Sequence, residues 1–515
     1  MSAQPALSKP AVEVAHPGWL TATIMLATIM QVLDTTIANV ALPHMAASLG
    51  AAQDEITWVL TSYIVASAIA TPVTGWVTDR FGRQTVFAVA IGGFTLASLA
   101  CGIASGLPEM VVYRIVQGIF GAVLIPLAQA VILDINPRER IGQAMAIYGA
   151  GIMVGPIIGP TLGGWLTETF NWRFVFLINL PIGIIALAGI LVFMPKGGLK
   201  QRRFDFFGFA MLALAIGALQ LMLDRGQAVD WFDAMEIWIY LFVSISGFWV
   251  FAVHCATAEN PFIELKIFGD RNFTMGLVFI FIIGLTLFSG LALLPPLLQN
   301  LLGYPVITTG IVMAPRGVGT MISMILVGRL VAKFDARILV TFGLAMTSWS
   351  LWIMSGFDTV MDSRLIILSG VIQGFGLGFV FVPLSTLTFA TLASEYRGDA
   401  TSLFSLVRNV GSGVGISIVT TVLARMMTVN HEELASRLTA DAPQVAARVP
   451  GLLAHDPVTM QQVNGLVGQQ SAMIADIDNF LLMLLFTVAA FPIVFLLRRP
   501  SHAAAPGPAA ASAEH

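Results

Sequence analysis

Gly75-Trp-Val-Thr-Asp-Arg-Phe-Gly-Arg-Gln84 returns 253 residues later as Gly328-Arg-Leu-Val-Ala-Lys-Phe-Asp-Ala-Arg337. Each stretch closes one apolar run, sets charges at a turn and opens the next run. The likeness continues in order at an offset of 256, pairing Gln117-Gly118 with Gln373-Gly374, and Gly155 and Gly159 with Gly411 and Gly415. Three ordered matches at nearly one offset point to a duplicated unit. Parallel repeats of this kind are the pattern of a polytopic membrane protein with two six-helix halves and a central site.

Apolar runs near 20 residues recur on either side of these stretches. They fall at about 19–41, 57–77, 84–104, 109–134, 142–165, 174–194, 206–224, 236–256, 273–295, 306–331, 337–357, 364–390, 399–427 and 479–497. That makes fourteen spans, twelve from the duplication and two inserted between the halves. The fold class expected is all-α, two six-helix bundles plus two inserted helices. Composition agrees: 57% hydrophobic, 11% charged and mean hydropathy +0.85. A soluble domain carries about 25% charged residues. Lipid is therefore the solvent, and the net charge of -3 argues against a nucleic-acid partner. The first run is too long for the apolar core of a cleaved signal peptide.

An even number of spans puts both termini on one side. Sixteen basic residues lie in segments on that side, against only Arg173, Arg225, Arg437 and Arg448 on the other. The positive-inside rule then predicts cytoplasmic termini. The expected organisation is a cytoplasmic tail (1–18), a first bundle (19–194) and two inserted helices with linkers (195–272). A second bundle (273–497) follows, with an outward loop (428–478), and then a disordered Ala/Pro-rich tail (498–515). The loop reads as short amphipathic helices. Cys101 and Cys255 fall near opposite faces, which excludes a disulfide between them.

Three motifs carry chemistry. Asp34 sits inside span one and Arg114 inside span four, at similar depth because the two spans run in opposite directions. A lone ionised side chain there costs at least about 2.5–3.5 kcal/mol, so such residues pair and serve function. Burial and a neighbouring arginine act oppositely on a carboxyl, the requirement for loading and releasing a proton. The alternatives are a static structural pair and an acid that only faces substrate. The repeat equivalents, near Phe288 and at Gly370, are uncharged, which confines proton chemistry to the first half. The loop motif Gly75, Asp79, Arg80, Gly82 and Arg83 is expected to form a cytoplasmic latch, with Asp79 and Arg83 pairing with Asp134 at the end of span four. The simpler reading makes these charges topology determinants. In span five, Gly151, Gly155, Gly159 and Gly163 recur every four residues, with Gly164 beside them and Pro156 and Pro160 bending the helix. This bare stripe is expected as a smooth contact across which the halves rock. Asn39, Gln117 and Gln373 are candidate cavity residues, with unassigned Met and Phe as adaptable walls.

At these motifs the chain resembles the major facilitator superfamily, most closely its fourteen-spanner drug:proton antiporters of the EmrB type. Leu33 to Pro43, Gly75 to Arg83, Arg114-Ile-Val-Gln-Gly118, the span-five run, Asn171 to Gly183, Leu223-Asp-Arg-Gly226 and Asp230-Trp-Phe232 carry the likeness. Gln84 departs from the family's basic residue. The resemblance implies export of hydrophobic drugs against protons from the inner membrane. It also implies a periplasmic membrane-fusion adaptor and an outer-membrane channel as partners, with no cofactor or metal. Other readings are a single-component exporter of one metabolite or siderophore, and an importer, against which the span-five glycines weigh. No Lys follows Gly, so there is no Walker A motif. His431-Glu-Glu-Leu-Ala435 lacks the second histidine of a zinc protease. No enzyme is expected.

Overall fold

The computed structural model describes residues 12, 14–52, 55–137, 140–196, 198–199, 203–331, 333–438 and 456–497. Most of the first tail, loop residues 439–455 and the tail 498–515, expected to be disordered, lie outside the described residues.

Among the described residues, fourteen helices are long and apolar enough to cross a bilayer. Spans one to six are Pro17–Leu49, Trp58–Phe81, Arg83–Ile103, Leu107–Ile135, Ile141–Thr169 and Phe174–Phe193. The inserted spans seven and eight are Phe206–Val229 and Met235–Thr257. Spans nine to fourteen are Arg271–Leu301, Val306–Leu330, Ala336–Met354, Ser363–Ala390, Arg397–Arg437 and Pro457–Val494. Helices prevail because each satisfies its own backbone hydrogen bonds, which lipid cannot. The duplication is visible in the packing. Span four packs on spans two and three, and span one on spans five and six; in the same way span twelve packs on spans ten and eleven, and span nine on spans thirteen and fourteen.

The span-five glycine stripe forms a close packing seam, but with span one rather than between the halves. A Cβ on Gly155 would lie 2.8 Å from Val32 Cγ1 and 3.2 Å from the Leu33 nitrogen. One on Gly159 would strike the Thr36 hydroxyl, and one on Gly163 would lie 3.0 Å from Ile37 Cγ2. The stripe therefore seats span one within the same half, directly behind Asp34. The contact between halves takes glycines from both sides: Gly310, Gly317 and Gly328 of span ten against Thr161, Ile157 and Ala146, and Gly149 and Gly164 of span five against Met324 and Val306. Span five is interrupted at Met153, one turn before Pro156, whose ring and missing N–H disturb that turn; Pro160 stays within the following helix.

The inserted pair is a strap rather than an appendage. Near one end of span seven, Asp224 Oδ2 accepts from Thr61 Oγ1 of span two at 2.5 Å. Beside it, Leu223 O accepts from Ser417 Oγ of span thirteen at 3.0 Å. Trp231 Nε1 donates to Thr421 Oγ1, also of span thirteen, at 2.9 Å. The turn holding Trp231 has positive φ at Asp230 (55°) and Trp231 (56°), uncommon for an aromatic and fixed here by that hydrogen bond and by packing against Gly226. Span eight lies outermost, only 17% of its core window being buried, with Phe242 and Trp249 turned to lipid.

The outward loop also departs from expectation. Residues 428–437 and 457–478 continue spans thirteen and fourteen as uninterrupted helices, since no Gly or Pro breaks Thr428 to Arg437 and a Glu433–Arg437 pair supports that turn. Asp456 caps span fourteen, accepting from the Thr459 hydroxyl at 2.6 Å and its amide at 3.1 Å; these bonds hold its carboxyl below the ordinary range. His431 Nε2 meets Asn464 Oδ1 at 3.0 Å, tying the two extensions together.

The two kinds of glycine contact predict opposite tolerances. Gly159→Ala should cost about 1–3 kcal/mol in an SDS-unfolding titration, the range for overpacking. Gly164→Ala, whose new methyl would meet Val306 Cγ1 only at an ordinary 3.4 Å, should be nearly neutral. Equal costs at the two positions would contradict the assignment of the seam.

Candidate functional site

Asp34 and Arg114 meet as their depths required. Arg114 Nη1 lies 2.6 Å from Asp34 Oδ2, and neither side chain has exposed surface. Three donors converge on the acid: Arg114 on Oδ2, and on Oδ1 both Gln117 Nε2 at 2.9 Å and Asn179 Nδ2 at 2.8 Å. Every hydrogen bond found at Asp34 is donated to it, the pattern an ionised carboxylate satisfies. Gln117 Oε1 in turn accepts from Arg114 Nη1 at 2.8 Å, and Arg114 Nε donates to Val59 O of span two at 2.9 Å. The guanidinium carbon stands 4.4 Å from the Tyr63 ring centroid and 5.6 Å from that of Phe176, so two aromatic faces complete its shell. Gly118 makes this approach possible, since a Cβ there would lie 2.6 Å from Tyr63 O.

Gln117, expected in the cavity, is thus a partner of Asp34 instead. Asn179 was not singled out, although it lies within the Asn171–Gly183 run; a neutral amide carries no signal of its own in an apolar span. It reaches Asp34 because it also donates to Ser98 Oγ of span three at 2.9 Å, and Ser98 donates to Phe176 O at 2.9 Å. Asn39 is exposed near the far end of span one. Gln373 is buried beside a cavity of about 30 Å³ lined also by Thr286, Leu287, Thr347 and Thr487, enough for roughly one water.

On the basic face Arg83 pairs with Asp134, with the second partner different from expectation. Asp134 is 3% exposed. Its Oδ2 pairs with Arg83 and its Oδ1 with Arg397 Nη1 of span thirteen at 2.5 Å; Arg397 also donates to Leu133 O at 3.3 Å. Both carboxylate oxygens are taken by guanidinium groups, so Arg397 of the second half stands where Asp79 was expected; a second acid there would only repel. Asp79 is half-buried at the end of span two, and Arg80 beside it is exposed. Gly82, at φ 81°, turns the chain between spans two and three. Gly75 lies against Asp399 and Gly398, letting the start of span thirteen rest on the end of span two. Gln84 donates to Leu191 O at 3.0 Å, so the departure from a basic residue here caps span six.

Among the described residues of the second half, no acid stands at the position equivalent to Asp34; that half's buried acid, Asp476, lies on span fourteen. Near the equivalent position, Arg316 of span ten is buried against Gly290 and Gly370, with a single 3.5 Å contact from Nη2 to Leu287 O.

A Major Facilitator Superfamily model matches residues 24–416. The chain is 36% identical over 457 residues to the multidrug export protein EmrB of Escherichia coli strain K12, covering 88% of each. It is 34% identical to the fatty acid resistance protein FarB of Neisseria gonorrhoeae, across 97% of this chain and 99% of that one. Two solved structures share the fold at low identity. One is the human organic anion transporter MFSD10 (TM-score 0.59, 14% identity, 92% of this chain and 99% of that one). The other is the proton:xylose symporter XylE (TM-score 0.58, 15% identity, 93% and 96%). The chain belongs to the major facilitator superfamily, among its EmrB-type multidrug exporters, as a multi-pass inner-membrane protein.

Proposed function

We propose that this protein is a proton-coupled antiporter that expels hydrophobic toxic molecules, with its basic face and both termini in the cytoplasm. The observation that carries the reading is Asp34, a membrane-level acid with no exposed surface and three donors fixed upon it. Protonating it removes the charge that Arg114 neutralises, and separating a buried pair by losing one partner costs about 3–5 kcal/mol. Spans one and four then lose their strongest tie, and the protein moves to the conformation that binds the neutral acid better. The cytoplasmic latch opens, cargo enters, and deprotonation toward the cytoplasm restores the pair. One charge crossing 100 mV supplies about 2.3 kcal/mol. That holds roughly a fiftyfold cargo gradient per proton.

The helices extending beyond spans thirteen and fourteen support a second element of the reading. They offer a periplasmic surface for a membrane-fusion adaptor that would join an outer-membrane channel. Exposed Val429, Val458 and Leu466 lie along them.

Three outcomes test this reading. Asp34→Asn should abolish drug-induced proton release from energised everted vesicles, at least about a hundredfold by the scale of proton-transfer groups, while drug binding persists; retained release excludes Asp34 as the carrier. Arg397→Ala should widen the distance between spin labels at exposed positions 81 and 334, one on each half, and cut export by on the order of tenfold, as expected when a buried ion pair is broken. An unchanged distance removes the latch. Shortening both extensions, 430–437 and 457–466, should abolish adaptor pull-down while leaving drug binding to the purified protein intact; equal recovery of adaptor would place its docking surface elsewhere.

A further inference from the structure

Arg316 is 6% exposed and lies about 15 Å along span ten from its first residue, Val306, near the middle of the hydrocarbon layer. At the offset of 253 it stands where the first half has Tyr63, the ring that covers Arg114. A Cβ on Gly370, the equivalent of Arg114, would lie 3.4 Å from Arg316 Cβ. The guanidinium itself lies against Gly290 of span nine, two residues beyond Phe288, the equivalent of Asp34. The second frame thus keeps a cation beside the span that carries the acid in the first, but supplies it from span ten. Arg114 has a carboxylate, two oxygens and two rings around it; Arg316 has the one long contact to Leu287 O, and its Nη1 has no hydrogen-bond partner among the described residues. A guanidinium does not shed its proton, so the charge stays, and at this depth a charge is normally paired. Asp476 does not pair with it: Met483, which meets Gly290 beside the guanidinium, lies seven residues further along span fourteen, about 10 Å from the acid's level.

The glycines around this cation are of two kinds. A Cβ on Gly374 would collide with Arg316 O, so packing imposes that glycine. A Cβ on Gly290 would lie 3.4 Å from Met483 Cε and 3.6 Å from both Nη1 and Nη2 of Arg316, ordinary contact distances. Alanine fits there, so the glycine leaves room of about a methyl group beside the guanidinium. Leu287, whose carbonyl oxygen takes the Nη2 contact, also lines the cavity of about 30 Å³ that Gln373 borders. Gln373 is the equivalent of Gln117, which donates to the Asp34 carboxylate, and its Oε1 has no partner among the described residues. The second half therefore keeps both the cation and the amide that serve Asp34 in the first, and supplies no carboxylate to them. The space bounds what could: it admits an ion of one atom, not a carboxylate bearing a tail. Chloride is close to a methyl group in size.

We propose that Arg316 holds one halide ion, chloride in the cell, as the counter-ion of the second bundle, in the room beside Gly290. The ion takes the part that the Asp34 carboxylate plays in the first bundle, with the difference that it exchanges with solution. The site needs neither cargo nor a proton gradient, so it stands apart from the export reading.

Purified full-length protein in lipid nanodiscs, without cargo or gradient, would be titrated with radiolabelled chloride replacing gluconate at constant ionic strength, with empty nanodiscs as the blank. Binding should saturate at one ion per chain, be displaced by bromide and not by gluconate, which is too large for the room. The thermal midpoint should rise with occupancy, because a ligand held only by the folded state stabilises it. Arg316→Gln should weaken chloride binding at least about tenfold, the scale of one charge-assisted hydrogen bond, and make the midpoint indifferent to chloride. Gly290→Ala, which keeps the guanidinium and fills the room, should weaken binding similarly in a folded protein; if Arg316→Gln does not fold, this variant decides. No saturable binding by the unaltered protein, displacement by gluconate equal to that by bromide, or unchanged affinity in either folded variant would each overturn the proposal. None of these results bears on proton-driven export, which fails only on the Asp34→Asn measurement.

Discussion

A carboxylate and a guanidinium 2.6 Å apart, with no exposed surface on either, constrain most of the first half. Each charge alone would be costly at this depth, and together they are stable only if the remaining hydrogen-bonding capacity is used. That requirement accounts for Gln117 and Asn179 on the acid, for Val59 O on the arginine, and for the aromatic faces of Tyr63 and Phe176. It also accounts for the glycines behind. Span one must hold Asp34 at one rotation and one height, and Gly155, Gly159 and Gly163 let Val32 to Ile37 press onto the span-five backbone. The pair is thus the reason for a packing surface that does not touch it.

Span four carries charge at both of its ends. Arg114 belongs to the buried site, and Asp134, about 30 Å further along the helix, belongs to the latch with Arg83 and Arg397. The first cluster lies within one half, whereas the second bridges the halves through Arg397. A tilt of span four relative to span one at the buried site therefore displaces the carboxylate that Arg397 grips. This is a mechanical link through one helix, interrupted by Pro126 alone, and it needs no chain of intermediate side chains.

Charge was the part of this site most legible in the sequence. An ionised residue in an apolar run stands out, and antiparallel spans fix relative depth, so Asp34 and Arg114 could be brought together from spacing alone. Asn179 could not, because a neutral amide has little penalty to betray it. Arg397 was legible as a basic residue but was read as a marker of sidedness, since residue spacing cannot say which span from the other half lies opposite. The glycine stripe shows the same limit. Its period revealed a bare face on span five but not whether span one or span ten lay against it. The fourteen spans and the duplication were legible because hydropathy follows directly from the solvent. The extensions of spans thirteen and fourteen were not, because polar residues outside lipid look alike in a loop and in a solvated helix.

Duplication leaves two similar frames, and their differences locate the work. Asp34 and Arg114 have Phe288 and Gly370 as their repeat equivalents, so the second frame lacks the pair at that position, although it buries an acid elsewhere, Asp476 of span fourteen. A symmetric pair of proton sites would let either half move independently. On the proposed proton-coupled reading, protonation of Asp34 biases one bundle, and the other follows through contacts that cross between them. Those contacts lie at different places: Arg397 on Asp134 at the basic face, span ten on span five along their lengths, and the inserted strap joining Thr61 to Ser417 and Thr421. The strap's bonds to both spans two and thirteen limit how far those spans can part. On the proposed reading, the insertion acts on the same motion as the latch, from the opposite end of span two.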